Sequence, residues 1–374
     1  MRVIVIGAGL AGLALAQGLR GAGIEVEVYE RDATVEARFQ GYRVGLFDSA
    51  LANLQTCLPE RWHALLTRIG GVLTGDGRAV DPQLTELVRI PRRDEGLLFD
   101  RHVLRHLLLT GLDVRFGKKL DRYVELPDGQ VRAEFADGSA ATGDLLVGAD
   151  GLGSTVRRQL LPETEILGTG VNGVIGRTPL TNRFAALVPG WTTVVMGEGR
   201  QLYLGKMPVE RSPRLVAAEL APEVQLPDAA GYLRWVMLVP PGGPVDVERE
   251  YAGQDGIDVV LDLVRGWHPE LRALIEQGDP DNSGIGPIRY AEPIPPWPTR
   301  TVTLLGDSAH PMPPGGLGAN LALGDAALLT TQLASADPLL PAIASYERQM
   351  LTTAEKAHHE AMATLPVFQH LRQS

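Results

Sequence analysis

The run Gly7-Ala8-Gly9-Leu10-Ala11-Gly12 constrains this chain more than any other feature, because of what flanks it. Val3 to Ile6 is continuously apolar, as in a parallel strand buried on both faces. Leu10 to Leu19 is rich in Ala and Leu and reads as a helix, with Gly21 and Gly23 as its stop. Glu25 to Glu30 alternates as a second strand. G-x-G-x-x-G between a strand and a helix is the dinucleotide-binding fingerprint. Gly7 makes the tight turn, Gly9 lets a pyrophosphate approach bare backbone, and Gly12 lets helix and strand pack closely. The helix N-terminus at Leu10 and Ala11 offers free N–H groups and a partial positive charge to phosphates. Glu30 ends the second strand, where a carboxylate accepts hydrogen bonds from ribose hydroxyls, and Arg31 beside it is a further cofactor contact. An acid at that position favours a free 2′-hydroxyl, so FAD or NAD over NADP.

The chain has 374 residues, enough for two lobes. Its net charge of −10 repels phosphate backbones and anionic lipid heads, so the expected partners include no nucleic acid and no membrane. No apolar stretch reaches the length of a membrane span. With a single cysteine, Cys57, no internal disulfide forms, and the expected location is cytoplasmic. Residues 99–111 read as a helix. Turn signals at 127–129 and 137–138 predict a three-stranded antiparallel meander before a strand at Leu145–Val147. Residues 170–285 carry many of the prolines and scattered β-type runs, with helix signals only at Val259–Trp267 and Leu271–Glu276. Thr301–Leu305 returns to a buried-strand pattern, Asn320–Leu333 is an Ala/Leu-rich helix, and a last helix runs from about Pro341 until Pro366 ends or kinks it.

Three further segments bring a resemblance. Leu145–Arg157 (LLVGADGLGSTVR) resembles the Asp-Gly motif of flavoprotein hydroxylases, and Leu304–Asp325 (LLGDSAHPMPPGGLGANLALGD) resembles their Gly-Asp motif with its proline-glycine loop. Arg101, in FDRHVLRHLLL, matches their helix arginine near the flavin. Over essentially its whole length the chain resembles the group A FAD-dependent monooxygenases, the p-hydroxybenzoate hydroxylase-like family. Tetracycline-inactivating and actinobacterial tailoring monooxygenases look nearest.

That resemblance implies an α/β fold: a Rossmann-type (GR2-like) FAD-binding lobe, an interleaved β-sheet substrate lobe and a C-terminal helix. The expected division is 1–70, 96–168 and 286–336 for FAD, 71–95 and 169–285 for substrate, and 337–374 for the helix. It implies non-covalent FAD, since Cys57 falls outside every flavin motif, and NAD(P)H as a transient co-substrate without a Rossmann site of its own. In the implied roles, Asp307 accepts from ribityl hydroxyls. The stretch Pro314, Gly315, Gly316, Gly318, Ala319 and Asn320 turns backbone amides toward the pyrimidine edge of the isoalloxazine, where negative charge accumulates on reduction. Asp150 is linked to FAD and nicotinamide sites, or only braces its loop through backbone amides. Arg38 and Arg43 are candidates for the nucleotide at the mouth, or solvated surface arginines. An arginine on an apolar helix needs a partner, which the flavin site supplies for Arg101. His310 reads as turn packing.

The implied activity is NAD(P)H- and O2-dependent oxygenation of an aromatic or polyketide-like small molecule by a C4a-hydroperoxyflavin. The flavin does the chemistry, so no protein catalytic residue is singled out, and no metal spacing or nucleophile elbow is found. Met196, Tyr203, Trp235 and Met237 are the candidates to line the substrate pocket, or else belong to the sheet core or its outer face. Monomer and homodimer both remain open. So do a same-fold FAD protein of different chemistry, a saturase, reductase or non-redox cyclase, and a non-enzymatic small-molecule binder.

Overall fold

The computed structural model describes residues 1–37, 41–72, 74–92, 95–197, 199–239, 251–312, 316–335 and 338–364. The opening apolar run forms the strand Arg2–Ile6, with Val3, Ile4 and Val5 sealed from solvent. It lies at the centre of a five-stranded parallel sheet, between Glu25–Tyr29 and Leu145–Gly148, with Val302–Leu304 and Val114–Arg115 at the edges. Strands this apolar need cover on both faces. On one side the predicted meander (Leu120–Glu125, Val131–Phe135, Ala140–Gly143) supplies it, with Phe135 stacked on Tyr29 at 4.5 Å between ring centres. On the other side lie the helices Leu10–Gly21 and Gly318–Ala334. Gly18 lets them approach, since a Cβ there would stand 2.4 Å from the Thr330 hydroxyl.

The second lobe is an eight-stranded mixed sheet. Its order is Tyr251–Ala252, Gly284–Tyr290, Leu167–Pro179, Tyr232–Val239, Arg200–Met207, Thr193–Gly197, Gly77–Val80 and Glu86–Ile90. Because strand residues alternate in direction, register fixes which side chains share a face. Trp235 pairs with Gly176 and Leu204, and Met237 with Val174 and Leu202. This set forms a core against the helices Gln254–Leu263 and Pro269–Glu276. Arg234 pairs with Arg177 and Gly205, and Val236 with Ile175 and Tyr203. That opposite face turns to the first lobe, whose Tyr42 and Leu98 pack on its Tyr232 and Met207.

Several elements depart from the sequence reading. Phe99 and Asp100 finish a strand, Gly96–Asp100, and the helix starts only at Arg101. The switch is set by Asp100, whose carboxylate accepts from the N–H groups of His102 and Val103 at 2.9 and 3.1 Å as an N-cap. The helix Pro213–Leu220, inside the stretch assigned to the substrate lobe, was not expected, and its Val216 and Ala217 pack in the core of the first lobe. The helix expected at Val259–Trp267 runs from Gln254 to Leu263. The last described helix begins at Leu339, and Pro366 lies outside the described residues. It clamps the parallel sheet: the Tyr346 hydroxyl donates to the Leu304 carbonyl at 2.8 Å, and buried Glu347 accepts from Trp297, Thr299 and Thr303. The strand leading into Asp307 is thereby held from behind.

Candidate functional site: a crevice between two lobes

The glycine turn behaves as its spacing demands. Gly7 has φ +110°, and a Cβ there would stand 2.3 Å from the Ala149 carbonyl oxygen. A Cβ on Gly12 would stand 2.2 Å from the Gly7 carbonyl oxygen, so both positions are fixed by the fold itself. Gly9 differs, because a Cβ there would meet nothing within 4 Å. Gly9 caps the helix Leu10–Gly21 with no side-chain bond, and the first turn carries no acid. The N–H groups of Leu10, Ala11 and Gly12 therefore have no partner within the helix and start beside this bare backbone, which suits an anion.

Glu30 is 4% exposed and lies under this turn. Its carboxylate accepts from the N–H groups of Ala8 at 2.8 Å and Asp32 at 3.0 Å, which leaves lone pairs for a ribose. Arg105, which sequence reasoning passed over, braces the same corner by donating to the carbonyls of Ala8 and Val35 at 2.9 and 2.8 Å. Its only sequence signal is a second arginine one helical turn after Arg101. Arg31 is exposed at the strand end.

The second half of the crevice is built from the Gly-Asp motif. Asp307 is exposed, and a Cβ on Gly318 would stand 3.6 Å from its Oδ1. The helix Gly318–Ala334 opens there without a side-chain cap or an acid in its first turn, so the amides of Gly318, Ala319 and Asn320 point outward. The Asn320 side chain is itself a bracket, accepting from Phe47 N–H and donating to the Gly45 and Gly316 carbonyls at 2.9, 3.0 and 3.0 Å. Gly316 has φ +82°, which a side chain rarely adopts. Arg101 reaches this region from its helix start, with its Nε sealed and unpartnered. Burial pulls its guanidinium below the ordinary range, and the charges of Asp307 and Asp100 oppose that. A crevice of about 650 Å³ runs alongside, lined among others by Gly41, Tyr42, Arg101, Arg177 and Tyr232.

These features fit FAD: an open amide cradle for a diphosphate, carboxylates for two sets of hydroxyls, a second amide cluster for a ring edge, and a buried cation awaiting an acceptor. Asp150 acts as a brace. Its Oδ2 accepts from Thr155 N–H at 2.7 Å and its Oδ1 from the hydroxyls of Ser154 and Ser308 at 2.5 and 3.2 Å. Arg157, another residue missed, ties the two motifs by donating to the carbonyls of Ser308 and Leu152. His310 packs in its turn as expected, bonded to Asp325 at 2.6 Å.

Other expectations are corrected. Trp235 and Met237 do not line the crevice, because register puts both on the helix-covered face, fully buried. Met196 is 40% exposed at the surface. Tyr203 does stand on the face toward the first lobe, its hydroxyl 2.5 Å from Gln201 Oε1. Arg43 does not stand at the mouth: it points inward and donates to the Lys206 carbonyl. Arg38, Pro314 and Gly315 lie outside the described residues. Among the described residues, Glu36, His102 and His106 form a partly exposed group whose ligating atoms lie within 4.8 Å of one another.

Fold and crevice define a two-lobed flavoprotein of the Rossmann type. Comparison with known proteins agrees. An FAD binding domain family matches residues 295–358, and an NAD(P)-binding Rossmann-like domain family matches 5–56, the segment of the glycine turn. A dual O-methyltransferase/FAD-dependent monooxygenase of Cercospora beticola is 33% identical over 95% of this chain and 44% of its own length, so the chain spans under half of that relative. An FAD-dependent urate hydroxylase of Klebsiella oxytoca is 30% identical over 93% of this chain and 85% of its own. The crystal structure of a protein assigned as an FAD containing monooxygenase from Photorhabdus luminescens superposes with a TM-score of 0.82, at 30% identity, over 97% of this chain and 96% of that one. The chain belongs to the FAD-dependent monooxygenase family, and FAD is its cofactor. Among the described residues, no helix is long and apolar enough to cross a membrane.

Proposed function

We propose that this chain is a single-component monooxygenase that takes electrons from NAD(P)H and one oxygen atom from O2 to hydroxylate, or otherwise oxygenate, an aromatic or polyketide-like small molecule. The observation that carries the reading is that two uncapped helix N-termini lie close together, a Cβ on Gly306 standing 3.5 Å from Ala11 and 3.0 Å from Ala322, with Glu30 under one, Asp307 beside the other, and Arg101, on which Asp307 acts, lining the crevice that meets the second lobe. FAD, when bound, supplies the hydride acceptance and oxygen activation. The chain's own residues do the rest. Leu10, Ala11 and Gly12 hold the diphosphate by their amides, and Glu30 and Asp307 orient the sugar and ribityl hydroxyls. The amides of Gly318 and Ala319 stabilise negative charge on the ring edge. Ile175, Tyr203 and Val236 present a largely apolar wall from the sheet, which positions substrate and excludes water from the reacting centre. A relative named as a urate hydroxylase supports a compact planar substrate.

The test is oxygen uptake and NAD(P)H oxidation by the yellow holoprotein across a panel of aromatic and polyketide compounds. Stimulation by a panel member supports the proposal. A flavin that NAD(P)H never reduces, with or without the panel, ends it and leaves a saturase, cyclase or binder of the same fold.

A further inference from the structure

The helix Arg101–Leu109 carries His102 and His106 four residues apart, so both imidazoles leave one face, a turn above each other. Their rings meet edge to face, 4.5 Å between centres and 73° between planes. Glu36, on the segment that follows the strand Glu25–Tyr29, reaches the same spot, its Oε1 3.7 Å from His106 Nε2. The helix itself holds that segment, since Arg105 donates to the Val35 carbonyl at 2.8 Å. One ligating atom from each of Glu36, His102 and His106 lies within 4.8 Å of the others.

An ion pair explains this cluster poorly. Burial pulls the His106 imidazole below its ordinary value, helped by His102 and Arg105 and opposed by Glu36, so the ring is neutral at neutral pH. A neutral ring gains little from a carboxylate 3.7 Å away. Its Nε2 is nevertheless sealed from solvent and makes no hydrogen bond among the described residues. A buried nitrogen left unpaired costs free energy, and a neutral imidazole offers its lone pair to a metal. The nearest fixed cation, Arg105, is partly answered by Glu30, 3.9 Å from its Nη2. Tetrahedral zinc, with bonds of about 2.0–2.2 Å to nitrogen and oxygen, sets its donors roughly 3.4 Å apart. His102 and Glu36 are exposed, so their side chains rotate freely enough to close the remaining distance, and an ion has a way in.

We propose that Glu36, His102 and His106 form a site for a borderline-soft divalent cation of the Zn2+ type. Two imidazole nitrogens and a carboxylate oxygen are donors that such an ion favours, whereas Mg2+ and Ca2+ take oxygen ligands. No fourth histidine, cysteine or carboxylate among the described residues joins the three, which leaves a coordination position to water. Glu36 and His102 also line the crevice, so the ion sits at its rim and ties the segment after Glu30 to the helix that begins at Arg101. None of the three residues belongs to the flavin cradle, and the site stands independently of the proposed reaction.

The test is calorimetric titration of the untagged holoprotein, stripped of metal by a chelator and dialysed, with Zn2+ and separately with Mg2+. One equivalent of Zn2+ is expected to bind and to raise the melting temperature, and Mg2+ at the same concentration to do neither. H102Q, H106Q and E36Q should each weaken Zn2+ about tenfold or more, because losing a ligand costs at least as much as losing an outer partner. H102Q and E36Q alter exposed side chains, so both fold whatever half-buried H106Q does. FAD content should be the same in all variants and unchanged by Zn2+. Zn2+ that binds no tighter than Mg2+ overturns the site. So does Zn2+ binding that H102Q and E36Q leave intact, which would place the ion elsewhere, and so does release of flavin by Zn2+, which would place it in the cofactor crevice.

Discussion

The three glycines of the phosphate turn should respond to alanine in two different ways, and the difference separates what the fold requires from what FAD requires. At Gly12 the new methyl would stand 2.2 Å from the Gly7 carbonyl oxygen, about 1 Å inside van der Waals contact, so helix or strand must shift. Overpacking of that kind costs about 1–3 kcal/mol, enough to outweigh the helix propensity alanine gains in the first turn. At Gly9 the methyl meets no protein atom within 4 Å, and the backbone, at φ −74° and ψ 177°, is one that alanine adopts freely. Loss of glycine from the N-cap costs about 1 kcal/mol or less, and the reduced freedom of the unfolded chain returns about 0.4–1 kcal/mol. The apoprotein of G9A should therefore melt within about 2–4 °C of the unaltered apoprotein, as a net change of no more than ~1 kcal/mol implies, whereas G12A should melt clearly lower. FAD is another matter. The Gly9 methyl occupies the approach of the diphosphate to the helix amides, and each lost charge-assisted hydrogen bond costs about 1.5–3 kcal/mol, so affinity should fall about tenfold to a hundredfold or more. Paired melting curves of apoprotein and fluorescence titrations with FAD read both quantities. A G9A variant that binds FAD normally, or whose apoprotein is destabilised as much as G12A, would refute the assignment of this turn as the diphosphate cradle.

D307A should weaken FAD binding by about 1.5–3 kcal/mol in the same titration while lowering the apoprotein melting point far less than W235A does, because the exposed Asp307 carboxylate makes no hydrogen bond among the described residues and acts on Arg101 and His310 through its charge alone. W235A should do the reverse, costing about 3–5 kcal/mol of stability from a fully buried site while FAD affinity holds, and a selective loss of substrate binding in a stably folded W235A would contradict the register. Burial lowers the His310 pKa, but the charges of Asp325 and Asp307 outweigh it, so the folded-state value lies above the ordinary one. A raised folded pKa gives stability that is fully present below the unfolded value, about 6.5, and lost as pH rises through the folded value. The gap in denaturation midpoint between the unaltered chain and H310Q should therefore narrow from pH 6 upward, and a gap that widens with pH would show the pair is held in another protonation state.

The parallel sheet was legible because its signals are local. A continuous apolar run, three glycines and an acid at a strand end lie within 30 residues of one another, and each has a steric reason that holds before the rest of the chain is placed. The meander was legible for the same reason, since Asp137-Gly138 and 127–129 mark its turns directly. Arg105 and Arg157 were harder, because most of their partners are supplied by other segments. Arg157 reaches a carbonyl 151 residues away and Arg105 one 97 residues away, so sequence shows a cation in an apolar setting without saying which oxygens satisfy it. The helix Pro213–Leu220 shows the same limit at the scale of an element. Its apolar residues announce a core, but only the packed chain says that the core belongs to the first lobe.

The second sheet shows why the substrate wall could not be chosen from the sequence. Alternation along Tyr232–Val239 separates Trp235 and Met237 from Arg234 and Val236 with no ambiguity, yet each set has a claim to the crevice. Aromatic and sulfur-bearing residues suggest a ligand pocket, and arginine suggests a solvated surface. The opposite holds, because both faces of this sheet are covered. The helices Gln254–Leu263 and Pro269–Glu276 bring only apolar side chains to one face, so the largest residues go there. The first lobe covers the other face with Tyr42, Leu98 and the Arg43 guanidinium, so that face keeps polar groups deep inside the molecule. Arg43, read from the sequence as a nucleotide contact at the mouth or a solvated arginine, is for that reason neither, and donates to the Lys206 carbonyl between the lobes.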